Sequence, residues 1–387
     1  MTGTEQTHSM VRPILRWNDA RMADDDSSGD RVAREWPLEG HFECGGQGLI
    51  VTPDCLSGEF KSRTANHDII ISLPQLDTRR PHPTLRSPRW TYGPIDEDED
   101  QDQDAWGLVL PDLGTLKVRA LLSLAGLPVD DDELDEVQFR VLRCRFYTSL
   151  TASTDEEFEA AADKFVMELE DWWARFTSWV SILTSQDFVQ IGGGNSGISA
   201  AFFYKSWNVE AWTTDADGQR MSEESYGYAT ENRVQPTPLE LQNLQACIAA
   251  TGDGGAPPTE WMLIRDARSL LNTGQTRRAV IDAATAAELA MTKLIDNYLA
   301  TANTTDIVKK ALDARYRALE GRARLLRDLR KGLLSHRLDE DLIKPRNYAT
   351  HRGHALTDEQ AQTAVDMATA VVEEAYPLAS LLHTNTA

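Results

Sequence analysis

Between residues 155 and 186 the apolar side chains Phe158, Ala162, Phe165, Leu169, Trp172, Phe176, Trp179 and Leu183 recur at alternating steps of four and three. Residues at those steps line one face of an α-helix. Thr154 stands where an N-cap belongs, and Glu157 three residues later completes a capping box. The spacing predicts one long helix. Its aromatic stripe needs an apolar partner, a sheet or a second helix, so the rest of the chain must fold to cover it.

The flanks of this helix differ in kind. Ahead of it, residues 48–52, 68–73 and 137–147 are short apolar or alternating runs bounded by Gly, Pro and Asp, which is the pattern of strands. Residues 77–94 are rich in proline and arginine, and the acidic tract 96–104 reads as an exposed loop. After the helix comes Gly192-Gly193-Gly194-Asn195-Ser196-Gly197, which lacks the Lys-Ser/Thr of a phosphate loop. Residues 198–212 then read as a strand and 215–218 as a turn, giving a hairpin.

From Thr237 onward the pattern is helical. Thr237 is suited to capping and Pro238 to a first helical position, with Leu241, Leu244 and Ile248 following until Gly and Pro at 252–258. Residues 260–273 predict a helix with Leu263, Ala267, Leu270 and Leu271 inward. Residues 275–299 predict another, with Val280, Ala284, Ala287, Met291, Leu294 and Tyr298 at helical steps. A fourth spans about 305–334. Thr357 and Gln360 open a last one that carries Ala361, Ala364, Val365, Ala368, Val372, Ala375 and Ala379.

A length of 387 residues exceeds one ordinary core. The expected class is α+β: an N-terminal β-rich domain with a long amphipathic helix and a hairpin, followed by a C-terminal antiparallel α-helical bundle. The expected boundaries are a flexible N-terminus at 1–35, a β-rich sensor or regulatory region at 36–235, and the bundle at 236–387.

A net charge of −22 argues against broad, non-specific nucleic-acid binding. The charge is uneven. Acidic runs fall at 24–26, 96–104 and 130–136, whereas residues 309–352 hold thirteen lysines and arginines against six acids. A locally basic surface on an acidic chain suits a selective anion site. Cys44, Cys55, Cys144 and Cys247 form no C-x-x-C pair, so reduced thiols of a cytoplasmic protein are expected rather than a metal site of Cys44, Cys55 and His41. No apolar run has the length of a membrane span and the first ten residues are polar, so neither a membrane anchor nor a signal peptide is expected. Nothing in the sequence calls for a cofactor or a metal.

Chemistry concentrates at Arg346-Asn347-Tyr348-Ala349-Thr350-His351. Asn347 and His351 are four apart and share a face on a helix, while Arg346 points more to the side. Pro345 suits the first turn of a short helix and Gly353 its end. A histidine titrates near neutrality and can take a proton from a ribose 2′-OH or give one to a leaving 5′-oxygen. An arginine presents a charged fork to phosphate oxygens, and an asparagine orients either group. Because the nucleophile belongs to the substrate, this chemistry needs no metal. Two similar patterns, Arg34 to His41 and Arg330 to His336, lack the context. The bland alternatives are Arg346 paired with Asp341 or Glu340, and His351 as a helix-end histidine. His354, three residues after His351, is either an accessory residue of the site or, more simply, an exposed side chain.

The residues that carry a resemblance are the block 261–299, W-M-L-I-R-D-A-R-S-L-L-N-T-G-Q-T-R-R-A-V-I-D-A-A-T-A-A-E-L-A-M-T-K-L-I-D-N-Y-L, then R-N-Y-A-T-H and the alanine-rich last helix. Together they resemble the HEPN domain superfamily. The resemblance implies a helical bundle, commonly dimeric, that cleaves RNA without metal through an arginine, a polar residue and a histidine four to six positions after the arginine. It carries the catalytic expectation to Arg346, Asn347 and His351. It also carries it to Glu288, which stands where many members place an acidic residue that orients the arginine. Glu288 could otherwise pair with Arg277, Arg278 or Lys293. A β-containing domain ahead of such a bundle is similar to bacterial abortive-infection proteins, in which a phage-derived trigger or regulatory partner releases the nuclease. The implied partners are an RNA substrate and a second copy joined through the bundle. The alternative is a non-catalytic sensor or scaffold whose bundle dimerises and binds RNA or nucleotide.

Overall fold

The computed structural model describes residues 14–16, 33–44, 48–77, 84–89, 106–110, 138–191, 204–214, 220–231, 234–329, 334–352 and 355–383. They form an α+β protein with antiparallel strands toward the N-terminus and helices toward the C-terminus. Two compact units divide the chain: Met1–Phe176 with Pro238–Gly255, and Thr177–Thr237 with Ala256–Ala387. The boundary expected at 236 is therefore not a simple one, because a later segment returns to the first unit.

The first unit holds β1 (Ile14–Arg16), β2 (Arg34–Glu43), β3 (Leu49–Val51), β4 (Glu59–Arg63), β5 (Asp68–Ser72), β6 (Gln75–Asp77), β7 (Thr84–Arg86), β8 (Gly107–Leu110), β9 (Gln138–Val141) and β10 (Arg143–Ala152). One antiparallel sheet runs β1-β2-β10-β5-β4, a second β3-β9-β8, and β6 pairs with β7. Of residues 1–35, expected to be flexible, Ile14–Arg16 pair with β2 and Arg34 opens β2. On β10 Cys144, Phe146, Thr148, Leu150 and Ala152 are buried while Ser149 and Thr151 are exposed, the period of two that a half-covered strand requires. The run 137–147 is two strands rather than one. At Leu142 the chain passes between sheets: its N–H donates to the Trp106 carbonyl (3.0 Å), and its carbonyl accepts from the Cys44 N–H (2.8 Å). The acidic runs at 24–26, 96–104 and 130–136 lie outside the described residues.

Helix α1 (Asp155–Thr184) forms as its spacing predicts. The Glu157 N–H donates to Thr154 Oγ1 (3.2 Å), and the Glu157 carboxylate accepts from the Ser153 N–H (2.8 Å), one residue earlier than in a capping box. The stripe is covered by a sheet. Phe158 stacks on Trp36 with centroids 5.1 Å apart, Phe165 meets Phe146 at 5.5 Å, and Trp172 Nε1–H donates to Ser62 Oγ (2.9 Å).

Ser62 in turn donates to the Ile248 carbonyl (3.1 Å) of helix α2 (Leu241–Gly252), which ties that helix to the first unit. A Cβ at Gly252 would lie 2.8 Å from Ser62 Oγ and 3.2 Å from the Arg63 nitrogen, so the close approach needs glycine. Thr237 and Pro238 do not open α2. The Leu239 N–H donates to the Ile50 carbonyl (2.9 Å) and its carbonyl accepts from the Thr52 N–H (3.1 Å), which holds the preceding segment extended against β3.

Glu168 on α1 clasps the β4–β5 turn. Its carboxylate accepts from Thr64 Oγ1 (2.8 Å), the Asn66 N–H (3.1 Å) and Asn66 Nδ2 (2.5 Å), and lies 3.0 Å from His67 Nδ1. Burial raises its pKa, but the bonds from Asn66, Thr64 and His67 outweigh burial and hold it down to about 2. A folded-state value below the ordinary 4.5 stabilises the fold above that value and is lost as pH falls toward about 2. Glu168→Ala is expected to cost about 1.5–3 kcal/mol at neutral pH. Urea unfolding from pH 7 to pH 2.5 should show the gap between mutant and wild type closing below pH 4.5, and a gap independent of pH would contradict this.

In the second unit β11 (Tyr204–Thr214) and β12 (Arg220–Glu231) form the expected hairpin. The glycine cluster at 192–197 and the turn at 215–218 lie outside the described residues. Helices α3 (Thr259–Asn272), α4 (Thr276–Thr301), α5 (Asp306–Arg315), α6 (Leu319–Leu329), α7 (Lys344–Asn347), α8 (Asp358–Ala375) and α9 (Leu378–His383) follow. Helix α4 packs against α3, α6 and α8. Buried alanines 279, 283, 284, 286, 287 and 290 on α4, and 361, 364 and 368 on α8, let the backbones lie close. Trp261 is buried, and its Nε1–H donates to the Tyr376 carbonyl (2.9 Å). Both halves of the Thr357–Gln360 capping box are present.

Two expected helices are broken. The span 305–334 divides at Tyr316, whose φ of −116° and ψ of 52° leave the helical region. Helix α5 buries no residue and leaves Ile307 81% exposed, so packing does not hold it in line with α6, which buries Leu319, Ala323, Leu325 and Leu326. The last helix stops at Ala375 ahead of Pro377, which places Ala379 on α9, exposed.

Candidate functional site

Residues 338–352 form one continuous helix of unusual winding. Asp339–Ile343 and Tyr348–Arg352 are wide π turns that flank the α turn Lys344–Asn347. Pro345 explains the first wide turn. It has no N–H to offer the Asp341 carbonyl, and its ring crowds that carbonyl. The Lys344 N–H instead donates to Asp339, five residues back. Pro345 therefore stands inside a helix already under way rather than at its start. Gly353, expected to end the helix, and His354 lie outside the described residues.

Leu338, Leu342, Pro345 and Ala349 point into the core and fix how the helix faces. Arg346, Asn347 and Thr350 are half-buried beside that seam, and His351 is exposed. Arg346 Nη1–H donates to Asn347 Oδ1 (3.2 Å), leaving the asparagine amide group to donate elsewhere. Thr350 Oγ1–H donates to the Arg346 carbonyl (2.9 Å). The wide turn changes the sequence-based geometry. Five α steps carry a side chain roughly 140° around the axis, whereas five π steps carry it only roughly 50°. The π turn thus draws His351 toward the Arg346 side, not only toward Asn347.

The acids that could neutralise the motif are engaged elsewhere. Asp341 forms a two-pronged pair with Arg337 (2.9 Å on each prong), and Glu340 pairs with Lys344. Among the described residues no carboxylate pairs with Arg346 and no hydrogen bond reaches the His351 ring. The basic stretch 309–352 is less open than its composition implies. Lys309 pairs with Asp296 (2.9 Å), Arg322 with Glu288 (3.6 Å), Arg324 with Glu320 (3.7 Å) and Arg327 with Asp339 (3.0 Å).

Glu288 is not brought to the motif. Its carboxylate meets Arg322 of α6 rather than Arg346, Arg277, Arg278 or Lys293, and Arg322 also donates to Thr292 Oγ1. Helix α4 instead reaches the motif through Arg277, among others; the Arg277 Nε–H donates to the Ala349 carbonyl (2.8 Å). Glu288 lies eleven residues further on, roughly 16 Å along the helix axis. The only sequence signal for Arg277 is the doublet Arg277-Arg278, and its role depends on a partner 72 residues away.

Of the other arginine–histidine patterns, the one from Arg34 to His41 is engaged in packing. Arg34 lies 4.1 Å over the Trp36 ring, and the buried His41 packs edge-on to Trp106 at 5.6 Å. Arg330 is outside the described residues. The four cysteines are free and buried. Burial and the contact of Cys144 Sγ at 3.5 Å push the Cys44 thiol well up. Among the described residues no three His, Cys, Asp or Glu gather as a metal-binding group, and no helix is long and apolar enough to cross a membrane. No protein-family model, no curated protein and no solved structure matches this chain.

Proposed function

We propose that the chain is an endoribonuclease of the HEPN type whose helices form the antiparallel bundle of that superfamily, with Arg346, Asn347 and His351 at its centre. The observation that carries this reading is the pairing around the motif: Arg337 and Lys344 hold Asp341 and Glu340, so the Arg346–Asn347 couple is left without an acid beside a histidine open to solvent. His351 accepts the proton of a ribose 2′-OH, and O2′ attacks the adjacent phosphorus. The bond from phosphorus to O5′ breaks, and a proton returns to O5′. Arg346 holds the non-bridging oxygens as negative charge builds on them. Each chain carries one such histidine, so two copies paired through their bundles supply one as base and one as acid. The β-rich part serves as sensor or regulator, in phage defence or growth arrest, with an RNA substrate and a phage-derived trigger or other regulatory partner acting in the cytoplasm.

This chemistry leaves a signature. Total cellular RNA incubated with the protein in EDTA should yield fragments ending in 2′,3′-cyclic phosphate and 5′-hydroxyl. An oligonucleotide with a 2′-deoxyribose at the cut position should survive. Cleavage of the deoxy substrate, or 5′-phosphate ends, would rule the mechanism out.

A further inference from the structure

We infer that Arg277 is a second phosphate-binding residue of the Arg346–His351 site, an inference that rests on the ribonuclease reading above. Its Nε–H is spent on the Ala349 carbonyl at 2.8 Å. That carbonyl belongs to the wide turn Tyr348–Arg352, near the end of a helix, where unpartnered carbonyls and the dipole favour a cation. That anchor uses Nε alone, and among the described residues neither Nη group makes a hydrogen bond. Arg277 is exposed, and no carboxylate pairs with it among the described residues. Its neighbour Arg278 differs, donating to Gln275 Oε1 (2.9 Å) and lying near the Asp282 carboxylate.

Several cations of the basic stretch are neutralised by neighbours. Lys309, Arg322, Arg327, Arg337 and Lys344 are each matched to an acid. Among the described side chains, Arg277 and Arg346 both touch the motif without one. Ala349 is three residues past Arg346 and two before His351, so Arg277 is anchored on the same stretch of helix that carries both. A single-stranded RNA laid across that turn places its scissile phosphate on Arg346 and a neighbouring phosphate on Arg277. On a chain of net charge −22, a pair of uncommitted cations at one spot supplies the local attraction that the overall charge opposes.

The test is binding of a labelled single-stranded RNA whose riboses are 2′-O-methylated, so that no cleavage interferes. Fluorescence anisotropy across a salt series compares wild type with Arg277→Gln, Arg277→Lys and Arg346→Gln. Glutamine keeps a donor for the Ala349 carbonyl but removes the charge. The expected result for Arg277→Gln is an unchanged melting temperature, about tenfold weaker binding, and a plot of log affinity against log salt shallower by about 0.7. Arg277→Lys should restore most of the salt slope. If Arg346→Gln weakens binding but Arg277→Gln leaves affinity and slope at wild-type values, Arg277 is only a helix cap, and the ribonuclease reading stands without it. A loss of affinity with an unchanged slope also overturns the phosphate contact. Should neither substitution alter binding, both readings fall together.

Discussion

Alanine in place of His351 is expected to slow single-turnover cleavage about 10²–10⁴-fold, the usual contribution of a positioned proton-transfer group. The same substitution should leave stability nearly untouched. His351 is exposed, accepts and donates no hydrogen bond among the described residues, and follows Ala349 and Thr350, which hold the turn without it. Exposed substitutions of this kind fall within about 0.5 kcal/mol of wild type. Rate and melting temperature must be measured on the same preparation. A full rate in the mutant would remove the motif from the chemistry. A slowed rate with a lowered melting temperature would mark a folding defect instead. The comparison also guards against a contaminating nuclease, since cleavage that survives in both proteins cannot come from His351.

The largest effect on stability is expected at Glu39. Its carboxylate lies 2.6 Å from Arg145 Nε, with the two side chains 3% and 4% exposed. They are diagonal neighbours on adjacent strands, since Arg145 pairs across with His41 and Tyr147 with Glu39. Arg145 also donates to the Arg89 carbonyl. Glu39→Ala removes the nearer carboxylate from a buried guanidinium, with the exposed Glu59 carboxylate 3.9 Å away, and should cost about 3–5 kcal/mol. The double replacement Glu39→Leu with Arg145→Met should recover most of that, because apolar groups of similar size remove the charge as well as the partner. Urea unfolding of Glu39→Leu, Arg145→Met and the double mutant closes the cycle and gives the coupling directly. If the two single losses simply add, the ion pair contributes nothing to the fold.

Elements with a strong periodic signal are legible in the sequence. The stripe from Phe158 to Trp179 is buried, and the Thr357 capping box closes as its residues imply. Residues governed by distant partners were not. Thr237 and Pro238 have the composition of a helix start, but Leu239 answers to Ile50 and Thr52, nearly 190 residues earlier. The division of the basic stretch at Tyr316 follows from which face finds a core, and charge alone says nothing about that. At the motif, the sequence located the arginine, asparagine and histidine but implied α spacing. Pro345 changes the winding, and a proline's effect on a helix depends on whether the turn before it has already formed. Glu288 was placed by resemblance, and its carboxylate is taken by a side chain of α6 that only packing brings near.

A ribosome delivers the first unit in two instalments. Ser62 emerges early, yet the helix that accepts its hydroxyl proton at Ile248 follows 186 residues later, after the whole β11–β12 hairpin. Until then the sheet face beside Ser62 lacks α2, and β3 lacks Leu239. The N-terminal unit therefore closes late in synthesis, with part of the other unit already outside the exit tunnel, and such long-range closure is slow. A fragment cut near residue 236 would lack Leu239 and α2 and split a folding unit rather than free one.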